Sequence, residues 1–228
     1  MKYKYDLHVH SVLSPCTDEL MTPNNILNMA MLNELDIISV TDHNSLKQLG
    51  TILEIAESYD FLVLPGVEVQ VDDGHLIAYF EKKDYLRFDK WLEKLIDDVP
   101  NEFDQTLMDV YDSEIENYRN SLTGNINTTL SKLLRTIKDY NGVVILAHLD
   151  KEKFSLKNKI KEEHLKYIDG IELINDYSVF IEKYPLFSEF GVYRNSDSHI
   201  ITDVGSNSEY IELECKSISC LIKELRNE

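Results

Sequence analysis

Histidine and carboxylate side chains recur in short motifs along this chain. Of the seven histidines, six fall at or beside the ends of predicted strands, and the strongest cases have a carboxylate close by. In chain order the groups are His8 and His10 in DLHVH, Asp18 in SPCTDELMTP, Asp42 and His43 in SVTDHN, Glu68 in LPGVEV, His75, His148 in GVVILAH, and Asp197 and His199 in RNSDSHI. Imidazole and carboxylate ligands without thiolate suit Zn, Mn or Fe. The set therefore predicts a site for divalent transition metals.

The motifs predict a metal site more strongly together than any one of them does alone. His8 and His10 are two residues apart on a predicted strand, so both imidazoles point to one face and can share a metal. His75 rests only on its place at the start of a strand, and either His75 or His148 taken alone could be an ordinary core histidine. Their joint occurrence with the other motifs is hard to assemble by accident, which favours one shared metal site.

Short apolar runs alternate with longer amphipathic runs, which predicts an α/β protein with a mainly parallel sheet. The predicted strands are Tyr3–Val9, Asp36–Thr41, Phe61–Val67, Leu76–Phe80, Gly142–Ala147, Gly170–Ile174 and Gly191–Asn195. The predicted helices are Pro23–Glu34, Ser45–Ser58, Tyr85–Asp98, Thr128–Tyr140, Ser178–Phe190 and Ser217–Arg226. Thr22 followed by Pro23 is a strong helix-start signal, because the threonine can cap the helix and proline suits its first position.

The predicted elements place the motifs at one end of the fold. In βα barrels the loops after the strands converge on one mouth, and every listed group except His75 stands at such an end or in the next loop. The segment Gln105–Gly124 is polar and lacks helical period, which predicts an inserted hairpin. Residues 1–228 are expected to form a single domain, because no linker or repeat divides them.

Composition narrows the class of protein. The 228 residues are 43% hydrophobic, which is enough for a sizeable core. No apolar stretch is long enough to span a membrane, and the first residues do not resemble a signal peptide. The three cysteines, Cys16, Cys215 and Cys220, are an odd number without CxxC spacing, which favours a reducing compartment. We therefore expect a cytoplasmic protein without a membrane partner.

The net charge indicates which kind of molecule the protein can bind. The formal charge is −18, and the 23 Lys and Arg residues are scattered rather than grouped. Long nucleic acids bind largely through many contacts between basic side chains and phosphates, so no long nucleic acid is expected as the partner. A small anionic substrate remains compatible with the charge, because bound divalent cations reverse the sign of the local field.

The ordered motifs DLHVH, TDH, GVE, AH and SDSH resemble the polymerase and histidinol phosphatase (PHP) superfamily, from Asp6 to about Gly205. The segment from DLHVHS to DIISVTDHNS is similar to small standalone bacterial PHP proteins rather than to polymerase-attached domains. This resemblance implies a distorted (β/α)7 barrel whose site holds up to three divalent metals.

The resemblance also implies how the ligands are shared. One metal would be held by His8, His10, Glu68 and Asp197. Glu68 would bridge to a second metal, held also by His75 and His148. A third would be held by Asp18, His43 and His199, with Glu19 as the alternative to Asp18. Asp42 would orient a neighbouring ligand without binding metal itself.

These implications predict hydrolysis of a small phosphate monoester by a metal-bound hydroxide. Glu68, Asp197 and His199 are the expected catalytic residues, and Asp197 or His199 could assist proton transfer. Arg194 and Lys151, next to ligand motifs, are candidate contacts to the substrate phosphate, because guanidinium and ammonium groups pair with phosphate oxygens. The residues indicate neither an oligomeric state nor a single substrate.

Two other functions remain open at this point. The first is a metal-dependent nuclease or exonuclease, and the second is a metal-binding module without catalytic activity. Cys16 reads as an inert free cysteine, because no phosphate-cradling loop or following Arg supports a thiolate nucleophile. His164, in a charged stretch, is expected at the surface.

Overall fold

The computed structural model describes residues 1–96, 105–118 and 121–228. The fold consists of two mixed β-sheets, a two-stranded hairpin and the helices around them. The strands are β1 (Lys2–Val9), β2 (Ile37–Val40), β3 (Leu62–Val63), β4 (Gly66–Val71), β5 (Gly74–Tyr79), β6 (Thr106–Met108), β7 (Glu114–Asn117), β8 (Val143–Leu146), β9 (Gly170–Glu172), β10 (Gly191–Tyr193) and β11 (Glu209–Glu212). The helices are α1 (Pro23–Leu32), α2 (Leu49–Ala56), α3 (Tyr85–Leu92), α4 (Leu130–Asp139), α5 (Glu162–Leu165), α6 (Tyr177–Lys183) and α7 (Ile218–Leu225). The α/β class predicted from the alternating pattern is confirmed.

The order of the strands separates the two sheets. The first sheet has the order β11-β1-β2-β3, in which β1, β2 and β3 are parallel and β11 is antiparallel to β1. The second has the order β10-β9-β8-β5-β4, in which β8 to β10 are parallel and β5 is antiparallel to both of its neighbours. Both sheets are therefore mixed: β11 is antiparallel to β1 in the first, and the β4–β5 hairpin reverses the chain direction in the second, where a parallel strand was expected.

Single residue pairs join the two sheets near the ends of their strands. Val9 bridges to Ser198, and His43 bridges to Glu68. The backbone nitrogen of His10 also donates to the carbonyl of Ser198 at 3.0 Å. The expected distorted (β/α)7 barrel is not confirmed, because these bridges do not extend into ladders and the sheets do not close into one barrel. They nevertheless bring the motif residues of both sheets to the same place.

Helix α1 begins as its sequence predicts. Thr22 has extended backbone angles, its side chain accepts from the backbone nitrogen of Asn25, and Pro23 occupies the first turn. Its buried face includes Ile26 and Leu27, which pack in the core against the first sheet. The cap satisfies one of the backbone donors that a helix start leaves open.

The predicted strand Phe61–Val67 is wrong in its bounds, because the chain forms two strands there. The backbone nitrogen of Leu64 still donates to the carbonyl of Ile38 at 2.9 Å, and Pro65 lies between the two strands. Gly66 then starts β4 in a tight place, since a Cβ on it would lie 2.5 Å from the Oγ of Ser39. Glu68 consequently lies inside β4 instead of at the end of a strand.

Two predicted helices end earlier than expected. The helix Ser178–Phe190 stops as α6, and a short 3-10 turn begins at Pro185, because proline cannot donate to the preceding turn. The helix Tyr85–Asp98 gives α3 and a 3-10 turn over Glu93–Leu95, and its last predicted residues lie outside the described part.

Strand β11 was missed, because only Ile211 of its four residues is buried and the sequence offers no apolar run there.

Within Gln105–Gly124, where an inserted hairpin was predicted, β6 and β7 pair antiparallel. Its turn contains Asp112, with the positive φ of 56° that tight turns require. Backbone nitrogen of Thr106 donates to the carbonyl of Val12, which ties the hairpin to the loop after β1. Arg119, a weak candidate for phosphate binding, lies outside the described residues.

Two local expectations are corrected. His164 is not at the surface: it is 5% exposed, and its Nε2 lies 2.8 Å from the Oγ of Ser131. Cys215 and Cys220 form a disulfide beside α7, although the cysteine pattern favoured free thiols. Cys16 is free. Across the described ranges, none of the helices is both long and apolar enough to pass through a membrane.

Candidate metal centre

The carboxylate of Glu68 lies at the centre of the histidine motifs. Glu68 is 1% exposed, on β4. Five imidazole nitrogens lie within 3.4 Å of its oxygens: His8 Nε2 at 3.4 Å, His10 Nε2 at 3.3 Å, His43 Nδ1 at 3.1 Å, His75 Nδ1 at 2.9 Å and His148 Nε2 at 3.0 Å. Such a convergence of ligand atoms around one buried carboxylate is the arrangement that a shared metal site needs.

Asp197, next to Glu68, is a second carboxylate that contacts the imidazoles of the cluster. Its Oδ1 lies 3.3 Å from His8 Nε2 and 3.5 Å from His10 Nε2. The two imidazole nitrogens are themselves 3.2 Å apart. His8 ends in this position because alternation along β1 sends both rings to the same face, as their spacing predicts.

His43 and His199 extend the cluster towards the opening of the site. The ring of His10 lies 4.6 Å from that of His43 and 4.4 Å from that of His199, centroid to centroid. Three overlapping groups of ligand atoms lie within 4.8 Å of one another: His10, His43 and His199; His8, His10 and Asp197; and His43, Glu68 and His75. The structure therefore brings together all of the predicted metal ligands except Asp18.

The buried ring nitrogen of His43 that faces Glu68 shows that the residues suit a metal ion. His43 Nδ1, His75 Nε2 and His148 Nδ1 have no hydrogen-bond partner within the described ranges, and His43 Nδ1 faces Glu68 without hydrogen-bond geometry. Buried polar atoms are seldom left without a partner, and each such atom calls for a reason. Because a neutral imidazole nitrogen is a metal ligand, a divalent ion beside Glu68 would supply the missing partner of His43 Nδ1. His75 and His148 face Glu68 through their other nitrogens, Nδ1 and Nε2.

The electrostatics follow from the same crowding. Burial opposes ionisation of Glu68, but the surrounding imidazoles, His75 first, hold its pKa well below the ordinary value. Burial also opposes charge on His10, yet the carboxylates of Asp197 and Glu68 raise its pKa to about 9. Burial and the neighbouring His10 lower the pKa of His199 to about 4. The cluster thus holds both charged and neutral imidazoles at pH 7 when no ion is bound.

Unusual backbone angles mark the loops that present these side chains. His148 and Asp197 have φ values of 29° and 52°, and Asn44, next to His43, has a φ of 50°. Residues other than glycine adopt positive φ at a cost, and such strain concentrates at functional sites. Asn44 is held by its side chain, which donates to the carbonyl of Leu122 at 2.7 Å. The loops are therefore fixed in the conformation that turns the ligands inward.

Glu172 supports His8 from behind and was not singled out from the sequence. Both of its carboxylate oxygens lie 3.1 Å from His8 Nδ1. It also accepts from the backbone nitrogen of His148 at 2.7 Å and from the side chain of Asn195 at 2.8 Å. Since an ionised carboxylate only accepts, His8 carries its proton on Nδ1 and turns Nε2 to the cluster. The signal was present, because Gly-Ile-Glu ends β9 much as Gly-Val-Glu runs through β4.

Asp42 supports His10 through a serine. The hydroxyl of Ser14 donates to Asp42 at 2.7 Å and therefore accepts from His10 Nδ1, 3.1 Å away. Asp42 accepts in addition from the backbone nitrogen and the hydroxyl of Ser11. The interpretation that Asp42 orients a ligand agrees with this geometry, although Ser14, the intermediary, was not foreseen.

Asp18 stands apart from the cluster. Its backbone nitrogen donates to the carbonyl of His199 at 2.9 Å, but its exposed carboxylate accepts from the backbone nitrogen of Leu20. Glu19, its alternative, is also exposed. A carboxylate committed to a local turn does not face the other ligands, so metal binding by Asp18 stays a prediction that this geometry does not support.

The two candidate phosphate contacts have different surroundings. A cavity of about 300 Å³ opens onto the cluster and is also lined by Lys151 and Cys16. Lys151 Nζ lies 2.6 Å from Asp197 Oδ2. The guanidinium of Arg194 instead donates to the carbonyls of Ile174 and Asn175, away from the cavity. The structure thus brings Lys151 to the site and leaves Arg194 outside it, because the loop after β9 engages the guanidinium.

Comparison with known proteins gives a family and a shared fold. A model of the PHP domain family matches residues 6–213. An uncharacterized protein of Methanocaldococcus jannaschii is 22% identical over 214 residues, which cover 89% of this chain and 68% of that protein. The lesion-specific endonuclease PfuEndoQ from Pyrococcus furiosus matches 100% of this chain with a TM-score of 0.76 and 18% identity.

This chain spans 56% of that endonuclease chain. A candidate metal-dependent phosphoesterase from Bifidobacterium adolescentis matches 86% of this chain and 87% of its own, with a TM-score of 0.55 and 16% identity. At such low identities the structural likenesses show a common fold.

Proposed function

Because the chain belongs to the PHP domain family of metal-dependent hydrolases, we propose that it is a metal-dependent phosphoesterase acting on small phosphate monoesters. One observation carries the proposal: five imidazole nitrogens lie within 3.4 Å of the buried Glu68 carboxylate. The ligands would be shared among up to three ions of Zn, Mn or Fe, with Glu68 common to two of them.

Bound divalent ions would acidify a water molecule and offset the negative charge of the phosphoryl oxygens. The ions would be held by His8, His10, His43, Glu68, His75, His148, Asp197 and His199. The side chains of the chain itself hold these groups in place before any substrate arrives, because Glu172 and Ser14 fix the orientation of His8 and His10.

Lys151 would bind the substrate phosphate. Its ammonium group lies 2.6 Å from Asp197 Oδ2, and 38% of its side chain is exposed at the cavity. A lysine at this place supplies a point charge to an entering phosphate, without the paired hydrogen bonds of an arginine. The ion pair with Asp197 holds the ammonium group where the phosphoryl end of the substrate would lie.

His199 is the side chain best placed to move a proton. Its Nδ1 donates to the carbonyl of Asp197 at 2.8 Å, which leaves the lone pair on Nε2. Burial and His10 lower its pKa to about 4, so the ring is neutral at pH 7. Its Nε2 can accept a proton from water in the cavity only while it does not hold an ion, so the proton-transfer role and the ligand role of His199 exclude each other at any one moment. We assign this role to His199 before Asp197, because Asp197 contacts His8, His10 and Lys151.

Size and charge favour a small substrate. A cavity of about 300 Å³ is at the lower end of the range for small-molecule sites. The formal charge of −18 repels an extended polyanion, whereas a metabolite phosphate brings few charges and meets cations inside the cavity. We therefore propose a small phosphorylated substrate and no long nucleic acid.

A nuclease is the second candidate. It is supported by the fold shared with PfuEndoQ, which is an endonuclease, at a TM-score of 0.76. The acidic surface weighs against it, because binding of a nucleic acid depends on many contacts between basic side chains and phosphates. A DNA-cleavage assay at the same phosphate concentration separates the two candidates.

The test is release of inorganic phosphate from a panel of phosphorylated metabolites with Mn²⁺, Zn²⁺ or Fe²⁺. We expect release from at least one small ester, loss of release after chelation, and little cleavage of oligonucleotides. The Glu68→Gln variant serves as the inactive protein, and Glu212→Gln, on the exposed edge strand β11, is its matched control. Efficient degradation of oligonucleotides would establish the nuclease instead, and metal uptake without any hydrolysis would indicate a silent metal-binding module.

A further inference from the structure

An aromatic side chain stands at the opening of the cavity. Phe154 is 49% exposed, and it lines the cavity together with Lys151 and Thr123. One face of its ring stacks on His75, with the ring centroids 5.0 Å apart and the planes 22° apart. Since His75 contacts Glu68, the phenyl ring lies directly outside the candidate metal ligands.

The backbone holds this ring in a defined place. Phe154 has a φ of 59°, a conformation that a bulky residue adopts only at a cost. Its carbonyl accepts from the backbone nitrogen of His75 at 2.9 Å, within a bridge to Gly74. Gly74 allows the close approach, because a Cβ there would lie 2.6 Å from Leu156. The loop after β8 is thus tied to the β4–β5 hairpin at the position that presents the ring.

The side chains that line the cavity change in character from its buried end to its opening. Glu68 and the imidazoles lie at the buried end, Lys151 is half-exposed beside Asp197, and Phe154 is at the exposed edge. A phosphate monoester that places its phosphoryl group among the metal ligands must direct its alcohol part towards the opening. That part of the substrate therefore passes the phenyl ring.

We propose that Phe154 is a specificity-determining residue that stacks against a flat aromatic ring in the alcohol part of the substrate. The inference rests on the proposed phosphoesterase function and adds a substrate class to it. An aromatic face attracts another flat ring through offset stacking and burial of apolar area, and it distinguishes such a ring poorly from other flat rings. A nucleobase and a simple aryl group share this chemistry.

The experiment compares pairs of esters in which the phosphate is carried by the same kind of carbon, a primary CH2 group. Adenosine 5′-monophosphate is compared with ribose 5-phosphate, and benzyl phosphate is compared with cyclohexylmethyl phosphate. We expect the wild-type kcat/KM to favour the aromatic member of at least one pair by about tenfold, mainly through KM. Preference in the first pair alone assigns a nucleobase, and preference in the second alone assigns an aryl group.

Variants of Phe154 distinguish stacking against the substrate from a role limited to covering His75. Phe154→Leu is expected to bring the ratio within each preferred pair close to one, whereas Phe154→Trp keeps the ratio. Tyr210→Leu, an exposed aromatic residue on β11, is the matched control that leaves the ratio unchanged. Metal content is measured for each variant, because a role limited to covering His75 would change metal binding and all substrates alike.

The outcomes distinguish this inference from the function on which it rests. Phosphate release with no preference in either pair, or a preference that survives Phe154→Leu, overturns the role of Phe154 and leaves the phosphoesterase standing. Absence of release from every ester, with metal bound, overturns the phosphoesterase and the stacking role together.

Discussion

The two sides of the metal centre differ in how their imidazoles are supported. On the β1 side, His8 Nδ1 faces Glu172 and His10 Nδ1 faces Ser14, so protein groups engage the ring nitrogens directed away from the cluster. On the opposite side, His43, His75 and His148 each keep one buried ring nitrogen without a partner among the residues that the structure describes. On the β1 side protein groups therefore fix the outer ring nitrogens, whereas the outer nitrogens of His75 and His148, whose other nitrogens face Glu68, have no such support in the described part of the chain.

Supporting contacts determine how a ligand ring is oriented, whereas an unpaired ring nitrogen affects how strongly an ion is bound. A histidine whose Nδ1 proton is fixed presents Nε2 to an ion without reorganising, and such supporting contacts raise ligand basicity. His43 Nδ1, which faces Glu68 without a hydrogen bond, gains a partner when an ion arrives, so binding offsets a desolvation cost there. Glu68 touches both sides and couples them.

The largest effect is expected for Glu68→Gln, which removes the charge shared by both sides. Metal content should fall on both sides, and phosphate release should drop by more than about 100-fold, since supporting residues alone are worth about 10- to 100-fold. Elemental analysis, kinetics and thermal melting of the variant measure these changes, with Glu212→Gln as control. Full metal content with normal turnover would remove Glu68 from the site.

Glu172→Gln should produce the next largest effect, because it weakens a contact that orients His8 and leaves the metal ligands themselves unchanged. Glutamine keeps the volume but has one oxygen for three donors, namely His8 Nδ1, the backbone nitrogen of His148 and the side chain of Asn195. We expect metal affinity to weaken by about 10- to 100-fold, with partial recovery of turnover at high metal concentration. Metal titration checks this, and an unchanged dissociation constant would show that Glu172 does not orient His8.

Ser14→Ala should weaken metal binding less. The hydroxyl makes one neutral hydrogen bond to His10 and relays the charge of Asp42, so its loss corresponds to a change of about two- to tenfold in affinity. His164→Gln provides the control, because His164 is buried outside the cluster. The same titration decides the order, and a larger loss for Ser14→Ala than for Glu172→Gln would reverse the comparison.

The finest difference between the two sides is in their protons. Although burial opposes charge, carboxylates raise the pKa of His8 well above its ordinary value and that of His10 to about 9. On the opposite side burial lowers the pKa of His75, while Glu68 raises the pKa of His43 against the effect of burial. His8 and His10 are thus protonated at pH 7 in the metal-free protein and must lose protons to bind an ion. Metal titration in weak buffer with a pH indicator should show proton release. Titration without release would contradict this ordering of the pKa values.

The sequence placed the histidine motifs close together, as the structure does, because their positions depend on local rules. Alternation along β1 places His8 and His10 on one face, and strand-end loops carry His148 and Asp197 inward. The start of α1 at Thr22 and Pro23 was equally local. These features require only short-range geometry, which residue types and spacing determine.

What the sequence did not predict depends on partners that are distant along the chain. The guanidinium of Arg194 is taken up by the loop after β9, and Glu172 reaches His8 across 164 residues. Asp18 is a local exception: it was assigned by motif position, yet its carboxylate accepts from Leu20, two residues further on. Closure into a barrel was not confirmed, because it depends on pairing between strands of the two sheets, which among the described residues are joined only by single bridges, such as Val9 with Ser198 and His43 with Glu68.

The most direct test of the account is elemental analysis of the protein after metal removal and reconstitution. The account predicts that the wild-type chain takes up about three ions of Mn, Zn or Fe per molecule and that Glu68→Gln takes up fewer, with the fold intact. A wild-type protein that stays metal-free under reconstitution, while folded, would contradict the assignment of this buried cluster as a metal centre.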